Sequence, residues 1–212
     1  MIEVETRQMN YACYVPSAVQ TAVDLANTLK PVKGEDALET VAQLRDFLAG
    51  HEGPEPALPT SAAGTPRPLP RSRIDATDLT EVRAVRETVR AVLEGAAADP
   101  AGTAALINDG LRRSRATLVL RHEHDRWWTE AVSDTDRCAA HLATATLSAL
   151  AHVIATRGPA RLGVCAGQAC RGTFVDLSRN GSKQFCTPTC AHRASVAAYR
   201  SRRTEGRAPT RG

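Results

Sequence analysis

An α+β fold, mainly helical, is what this sequence predicts: a helical N-terminal domain with a small β-hairpin, followed by a compact module of hairpin then helix. Three observations carry that expectation. Apolar residues recur at helical spacing in several segments before residue 158. Two strand-like runs flank one polar turn, and four of the six cysteines fall between residues 165 and 190.

The first helix is expected over Ser17 to Leu29, with Val19, Val23, Ala26 and Leu29 as its apolar stripe, Ser17 as cap and Pro31 as stop. A second is expected over Asp36 to Ala49, with Leu38, Val41, Leu44 and Leu48 on one face and Gly50 following. An insertion at about 50–70 carries six prolines and no periodicity. Proline removes backbone donors, so it reads as an extended or disordered surface segment. Two helices are too few to bury a core alone, so it is placed inside one domain.

A third helix is expected over Leu79 to Glu94. Leu79, Val82, Val85, Val89 and Val92 face inward, Asp78 and Glu81 resemble a capping box, and Gly95 stops it. A short helix over Thr103 to Leu111 follows. ATLVLR (116–121) and RWWTEAV (126–132) read as strands around the turn HEHD. Trp127 and Trp128 alternate faces, so one is expected in the core and the other under a helix or lining a pocket. A long helix from about Asp134 to Ala155 ends at Gly158-Pro159. LGVC and GTFVDL are short strands flanking the first cysteine pair. Asn180-Gly181 makes a turn, and KQF returns the chain. Thr187-Pro188 then opens a helix running to about Arg203.

Cys165, Cys170, Cys186 and Cys190 read C-x4-C, fifteen residues, C-x3-C. Two close pairs returned to one place deliver four thiolates to a tetrahedral zinc. A helix N-terminus at Cys190 favours its thiolate. So few aliphatic residues lie in 161–200 that the metal is expected to supply the folding energy. Four thiolates leave no open coordination position, so one structural zinc is expected rather than a catalytic one. The domain plan is therefore 1–158 helical, 159–204 a treble-clef-like zinc module, and 205–212 a flexible basic tail. Cys13 and Cys138 lie outside the cluster and default to small buried residues. His122 and His124 lack a third nearby ligand, and His141 and His152 fall on the long helix as packed or surface groups.

Charge is divided unevenly. Residues 161–212 hold ten Lys/Arg and two acidic residues, and residues 1–160 hold seventeen and twenty-one, giving +8 and −4. A basic end on an acidic body is the footprint of a polyanion-binding module. Arg193 and Arg200 lie two turns apart on one helical face, with Arg202 and Arg203 beyond them. Arg179 and Lys183 add phosphate contacts from the turn. His192 either sits on the helix surface or meets a phosphate or base edge. Arg207 and Arg211 add diffuse attraction.

CAGQAC, FVDLSRNGSKQFC and CAHRASVAAYRSRR together resemble the CGNR-type zinc finger of bacteria, and AVDLANTL at 22–29 resembles the ABATE domain that precedes it. The resemblance implies a stress-induced transcription regulator and carries the four cysteines over as zinc ligands. It also carries Ser178, Arg179 and Asn180 as the SRN turn and Arg193 as the family arginine. The naming tetrapeptide is altered to Cys190-Ala191-His192-Arg193.

The expected function is a zinc-dependent regulator that binds double-stranded DNA, whose N-terminal domain senses an effector or forms a homodimer. A second reading makes the module a protein- or RNA-docking platform, and a third makes its thiolates a redox switch. The residues show no nucleophile elbow, phosphate loop or paired-carboxylate motif, so no enzyme is expected. The N-terminus does not resemble a secretory signal, and no long uninterrupted apolar run predicts a membrane span, so a cytoplasmic location is expected.

Overall fold

The computed structural model describes residues 15–51, 74–123 and 126–205. Cys13, most of the proline-rich insertion, His124 and the tail with Arg207 and Arg211 lie outside the described residues.

Helix α1 (Val15–Asn27) buries Ala18, Val19, Ala22, Leu25 and Ala26. It starts two residues before the expected cap, so Ser17 sits within the first turn, where its carbonyl accepts from the Thr21 hydroxyl at 2.9 Å. It also ends two residues early. Leu29–Lys30 (β1) instead pairs antiparallel with Glu35–Asp36 (β2), turning at Gly34 with φ +66°. The second expected helix therefore loses its first turn. The Asp36 carboxylate accepts from Arg86 at 2.6 Å and from the Leu38 amide at 2.8 Å, which fixes this segment as a turn. Helix α2 (Val41–Gly50) then starts from Thr40, which forms a capping box with Gln43.

Helix α3 (Ala76–Gly95) is capped by Asp75 and not by Asp78. Asp75 accepts from the amides of Thr77 and Asp78, and the Asp78 carboxylate answers the Asp75 amide. Asp78, nearly fully buried, is the third residue of the helix, and it and Glu81 face Arg137 at 3.3 and 3.0 Å. Helix α4 (Pro100–Arg113) is longer than expected, because Asp99 caps it through the Gly102 amide with proline at the first helical position.

Strands β3 (Ala116–Glu123) and β4 (Arg126–Ser133) pair antiparallel with Leu118 opposite Ala131 and His122 opposite Trp127. Neither tryptophan enters the core. Trp127 is 58% exposed and its ring lies tilted against that of His122, while Trp128 on the other face is half-buried. A two-stranded ribbon has only one covered face at most, which is why the expected burial fails.

Helix α5 (Cys138–Arg157) begins four residues later than expected, because Ser133 bonds the Ser114 carbonyl and the Thr135 amide in a preceding turn. His141 bonds back to the Thr135 carbonyl there. By length and composition α5 meets the size of a membrane span, but here it is the central core helix packed by α1, α3 and α4. Burial and the neighbouring Asp78 push the Cys138 thiol up to about 12, so it stays neutral, as a buried filler should.

A 3-10 turn (Pro159–Arg161) leads into β5 (Leu162–Val164), which pairs antiparallel with β6 (Thr173–Val175). Leu162 and Val175 belong to the same hydrophobic core as α1, α3 and α5. Helix α6 (Pro188–Glu205) closes the described chain.

Candidate metal centre and nucleic-acid interface

The strands β5 and β6 bring the first cysteine pair into one tight connection. Its backbone amides point at sulfur: Gly167 donates to Cys165 Sγ at 3.5 Å and Gly172 to Cys170 Sγ at 3.4 Å. The Cys165 amide bonds the Gly172 carbonyl at 2.8 Å, closing the loop. Thr187 accepts from the Cys190 amide at 3.2 Å, the cap expected of Thr187-Pro188, and sets Cys190 in the first turn of α6.

All four Sγ atoms lie within 4.8 Å of one another. Cys170 and Cys186 sulfurs are 3.6 Å apart, and Cys186 and Cys190 sulfurs 3.7 Å. A tetrahedron with zinc–sulfur bonds of about 2.3 Å has edges of about 3.8 Å, so the donor set fits one zinc ion. Electrostatics agree. Burial and the neighbouring thiols push the Cys186 thiol well up, and burial raises Cys170. The Thr187 hydroxyl lowers Cys190. Crowded thiols resist ionising beside one another, and a divalent cation reverses that penalty. Zinc bound there supplies a fixed cross-link between the β5–β6 connection and the start of α6.

Between β6 and Cys186 the expected SRNGS turn is present, with Gly181 at φ +62°. KQF returns the chain to Cys186, as expected, without forming a strand. An internal carboxylate organises the return instead. Asp176, buried, accepts from the amides of Ser178 at 2.9 Å and Lys183 at 2.8 Å. Burial raises its pKa, but the bonds from Ser178 and Lys183 and the charge of Arg161 outweigh this and hold the carboxyl below its ordinary range. Asp two residues before Ser is an Asx-turn pattern, so the signal was present in FVDLSRN. Arg157 donates to the Leu177 carbonyl and Arg161 to the Ser178 carbonyl, so two arginines from the end of α5 and the 3-10 turn pin the loop. The Ala166 amide then bonds Gln184, returning the chain to the cysteines.

The basic residues are placed as follows. Arg179, Lys183, His192, Arg193, Arg200 and Arg202 are exposed. The Arg203 side chain lies outside the described residues. Lys183 is partly committed inward: its ammonium bonds the Val175 carbonyl at 3.3 Å and lies 5.5 Å from the Phe174 ring centroid. Arg193 and Arg200 share one face of α6. Arg202, two residues further at about 100° each, points the other way, so it does not join them.

The helical domain meets this module through polar bonds as well as core contacts. The Asn27 amide at the end of α1 pairs with the Thr173 backbone, and Arg90 of α3 reaches the Arg171 carbonyl at 2.6 Å. Neither residue was singled out by sequence. An open depression of about 450 Å³ between α3 and α4 includes Asp99 and Asp109. Asp99 caps α4 and Asp109 pairs with Arg112 and Arg113, so both carboxylates are engaged.

The ABATE profile, described as "Putative stress-induced transcription regulator", matches residues 20–157, and the CGNR zinc finger profile matches residues 161–203. None of the curated proteins matches the chain.

Proposed function

Because the chain belongs to the ABATE family and carries a CGNR zinc finger, we propose that it is a zinc-dependent transcription regulator that binds double-stranded DNA through α6 and the SRN turn. The observation that carries the reading is the exposed face of Arg193 and Arg200 on a helix anchored at a four-cysteine centre. Arginine suits both phosphate oxygens and guanine edges. Arg179 adds a phosphate contact from the turn. Phosphate contacts place the module, and base-edge contacts from α6 give it selectivity.

The helical domain is the regulatory half, acting through an effector or by bringing two copies together. Support for pairing comes from the β3–β4 ribbon, where Leu118 is 69%, Leu120 63% and Trp127 58% exposed. One small finger also buries little surface on DNA, and specific sites need more.

The test is selection of genomic fragments by the zinc-loaded full-length protein, with a chelated control. A shared motif lost on chelation, two-fold symmetric where two copies act, is the expected result. Arg193→Ala with Arg200→Ala should weaken binding and lower the salt slope by about 2. Retention of all fragments alike, or of none, overturns the reading and favours a protein- or RNA-docking platform.

A further inference from the structure

Two residues, Arg171 and Gly172, connect the zinc ligand Cys170 to Thr173 at the start of β6, and the helical domain bonds the first residue of this link and Thr173 beyond it. Asn27 clamps Thr173 from both sides. Its Oδ1 accepts from the Thr173 amide at 2.8 Å and from the Thr173 hydroxyl at 3.3 Å, and its Nδ2 donates to the Thr173 carbonyl at 2.9 Å. The asparagine amide thus imitates a neighbouring strand. Gly172 lies between the two clamped residues. Its amide points at Cys170 Sγ, its carbonyl holds the Cys165 amide, and a Cβ there would stand 3.5 Å from Asn27 Oδ1.

Arg90 holds the other end. Its guanidinium, 6% exposed, donates to Arg171 O at 2.6 Å. It also donates to the carbonyls of Ala26 at 3.1 Å and Leu29 at 3.3 Å, which flank Asn27, and pairs with Glu94 at 2.8 Å. One buried cation therefore ties the end of α1 to the residue after Cys170. Buried backbone groups keep their bonds or lose stability, so these contacts fix the path of the backbone that aims two of the four sulfurs.

We propose that Asn27 and Arg90 are positioning residues of the metal centre, so that zinc binding and the packing of α1 against α3 are thermodynamically linked. Neither side chain bonds a sulfur. Each acts on the backbone between a ligand and its strand, as outer-shell groups do for ligands elsewhere. The coupling is reciprocal: whatever loosens the end of α1 weakens zinc, and zinc tightens the end of α1 by the same factor. This rests on the zinc site and not on the DNA reading.

The experiment is zinc affinity of the full-length protein by competition with a chromophoric chelator. Asn27→Asp keeps the size and the acceptor but sets an oxygen against the Thr173 carbonyl. Arg90→Lys keeps the charge but not the fork. Both are expected to weaken zinc by about 10- to 100-fold. Leu44→Ala, which thins the buried core from α2, should leave zinc affinity within about threefold while lowering thermal stability by the cost usual for such truncations. A merely structural role would make all three alike. Hydrogen exchange of the unaltered protein gives an independent reading: chelation should speed exchange at the amides of Thr28 and Leu29 more than within α2. Zinc affinities within threefold of the parent for both variants, or exchange that rises equally in α2, would overturn the proposal.

Discussion

Replacing Gly172 by alanine tests the metal centre at the point of least room. An added Cβ would stand 3.1 Å from Cys186 Sγ, 3.3 Å from Cys170 Sγ and 3.5 Å from Asn27 Oδ1. The first two are tighter than ordinary van der Waals contact by a few tenths of an ångström. A flexible side chain would yield, but two sulfurs on one zinc are held at about 2.3 Å from the ion and near 109° from each other. The strain goes instead into the backbone that Asn27 clamps. Overpacking of this kind costs about 1–3 kcal/mol, which is about a 5- to 150-fold loss of zinc affinity. Gly167 is the control on the same loop. Its added Cβ would meet Cys165 Sγ and Cys170 Cβ at 3.5 Å each, which is ordinary contact. Gly167→Ala should therefore bind zinc within about twofold of the parent, since a compatible Gly→Ala change acts mainly on the unfolded chain. Chelator competition on both variants, with their melting temperatures, makes the measurement. Equal zinc affinities for the two variants would refute the geometry.

Asp36→Asn should destabilise the protein by about 1–3 kcal/mol at neutral pH, because Arg86 stays buried after losing its 2.6 Å charged partner. Burial raises the Asp36 pKa, but bonds from Arg86 and the Leu38 amide outweigh it and leave the folded value depressed. The stabilisation is therefore complete above the unfolded value of about 3.9 and is lost as pH falls through the lower folded value. Urea unfolding of parent and variant should show a gap that is constant from pH 7 to about 5 and closes below about 4; a gap that persists in acid would contradict this. Chelating zinc should lower the melting temperature of the helical domain together with the finger, because Leu162 and Val175 sit in the common core. Calorimetry showing an unmoved helical transition beside a lost finger would refute that.

What was legible in the sequence is what rests on local spacing. The four cysteines, the Thr187-Pro188 start of α6 and the existence of the long helices all follow from residues within a few positions of one another. Ends were legible only where one signal stood alone. Asp75, Asp78 and Glu81 offer two overlapping capping boxes, and nothing in the segment chooses between them. Arg137 at the start of α5 decides, because it takes Asp78 and Glu81 as partners and leaves Asp75 to cap. Asp36 likewise reads as a helix start until Arg86, fifty residues away, claims its carboxylate. At α4 the cue was present and underused: Asp99-Pro100 is a cap followed by a first-turn proline, and it outweighs the sparse apolar pattern of the segment.

The joint between the two halves was not legible for a different reason. AVDLANTL carries the helical spacing that places Leu25 and Ala26 inward, but its Asn27 has no local partner to betray it. Its partner is the backbone of Thr173, 146 positions away, and a backbone has no sequence of its own. Arg90 has one local partner, Glu94, but the carbonyls it also bonds, of Ala26, Leu29 and Arg171, are equally silent in the sequence. A buried polar side chain that satisfies main-chain atoms leaves only the oddity of its own burial. Composition and charge divide this chain near residue 160, yet the hydrogen bonds and the core run across that line. The charge asymmetry concerns what the surface meets, and the core concerns what folds together, so the basic module and the acidic body are separate in the first sense and continuous in the second. On the regulatory reading proposed above, body and finger share one core and one hydrogen-bonded seam among the described residues. A signal on that reading would run through α1, β6 and the backbone beside Cys170, which the helical domain holds by hydrogen bonds.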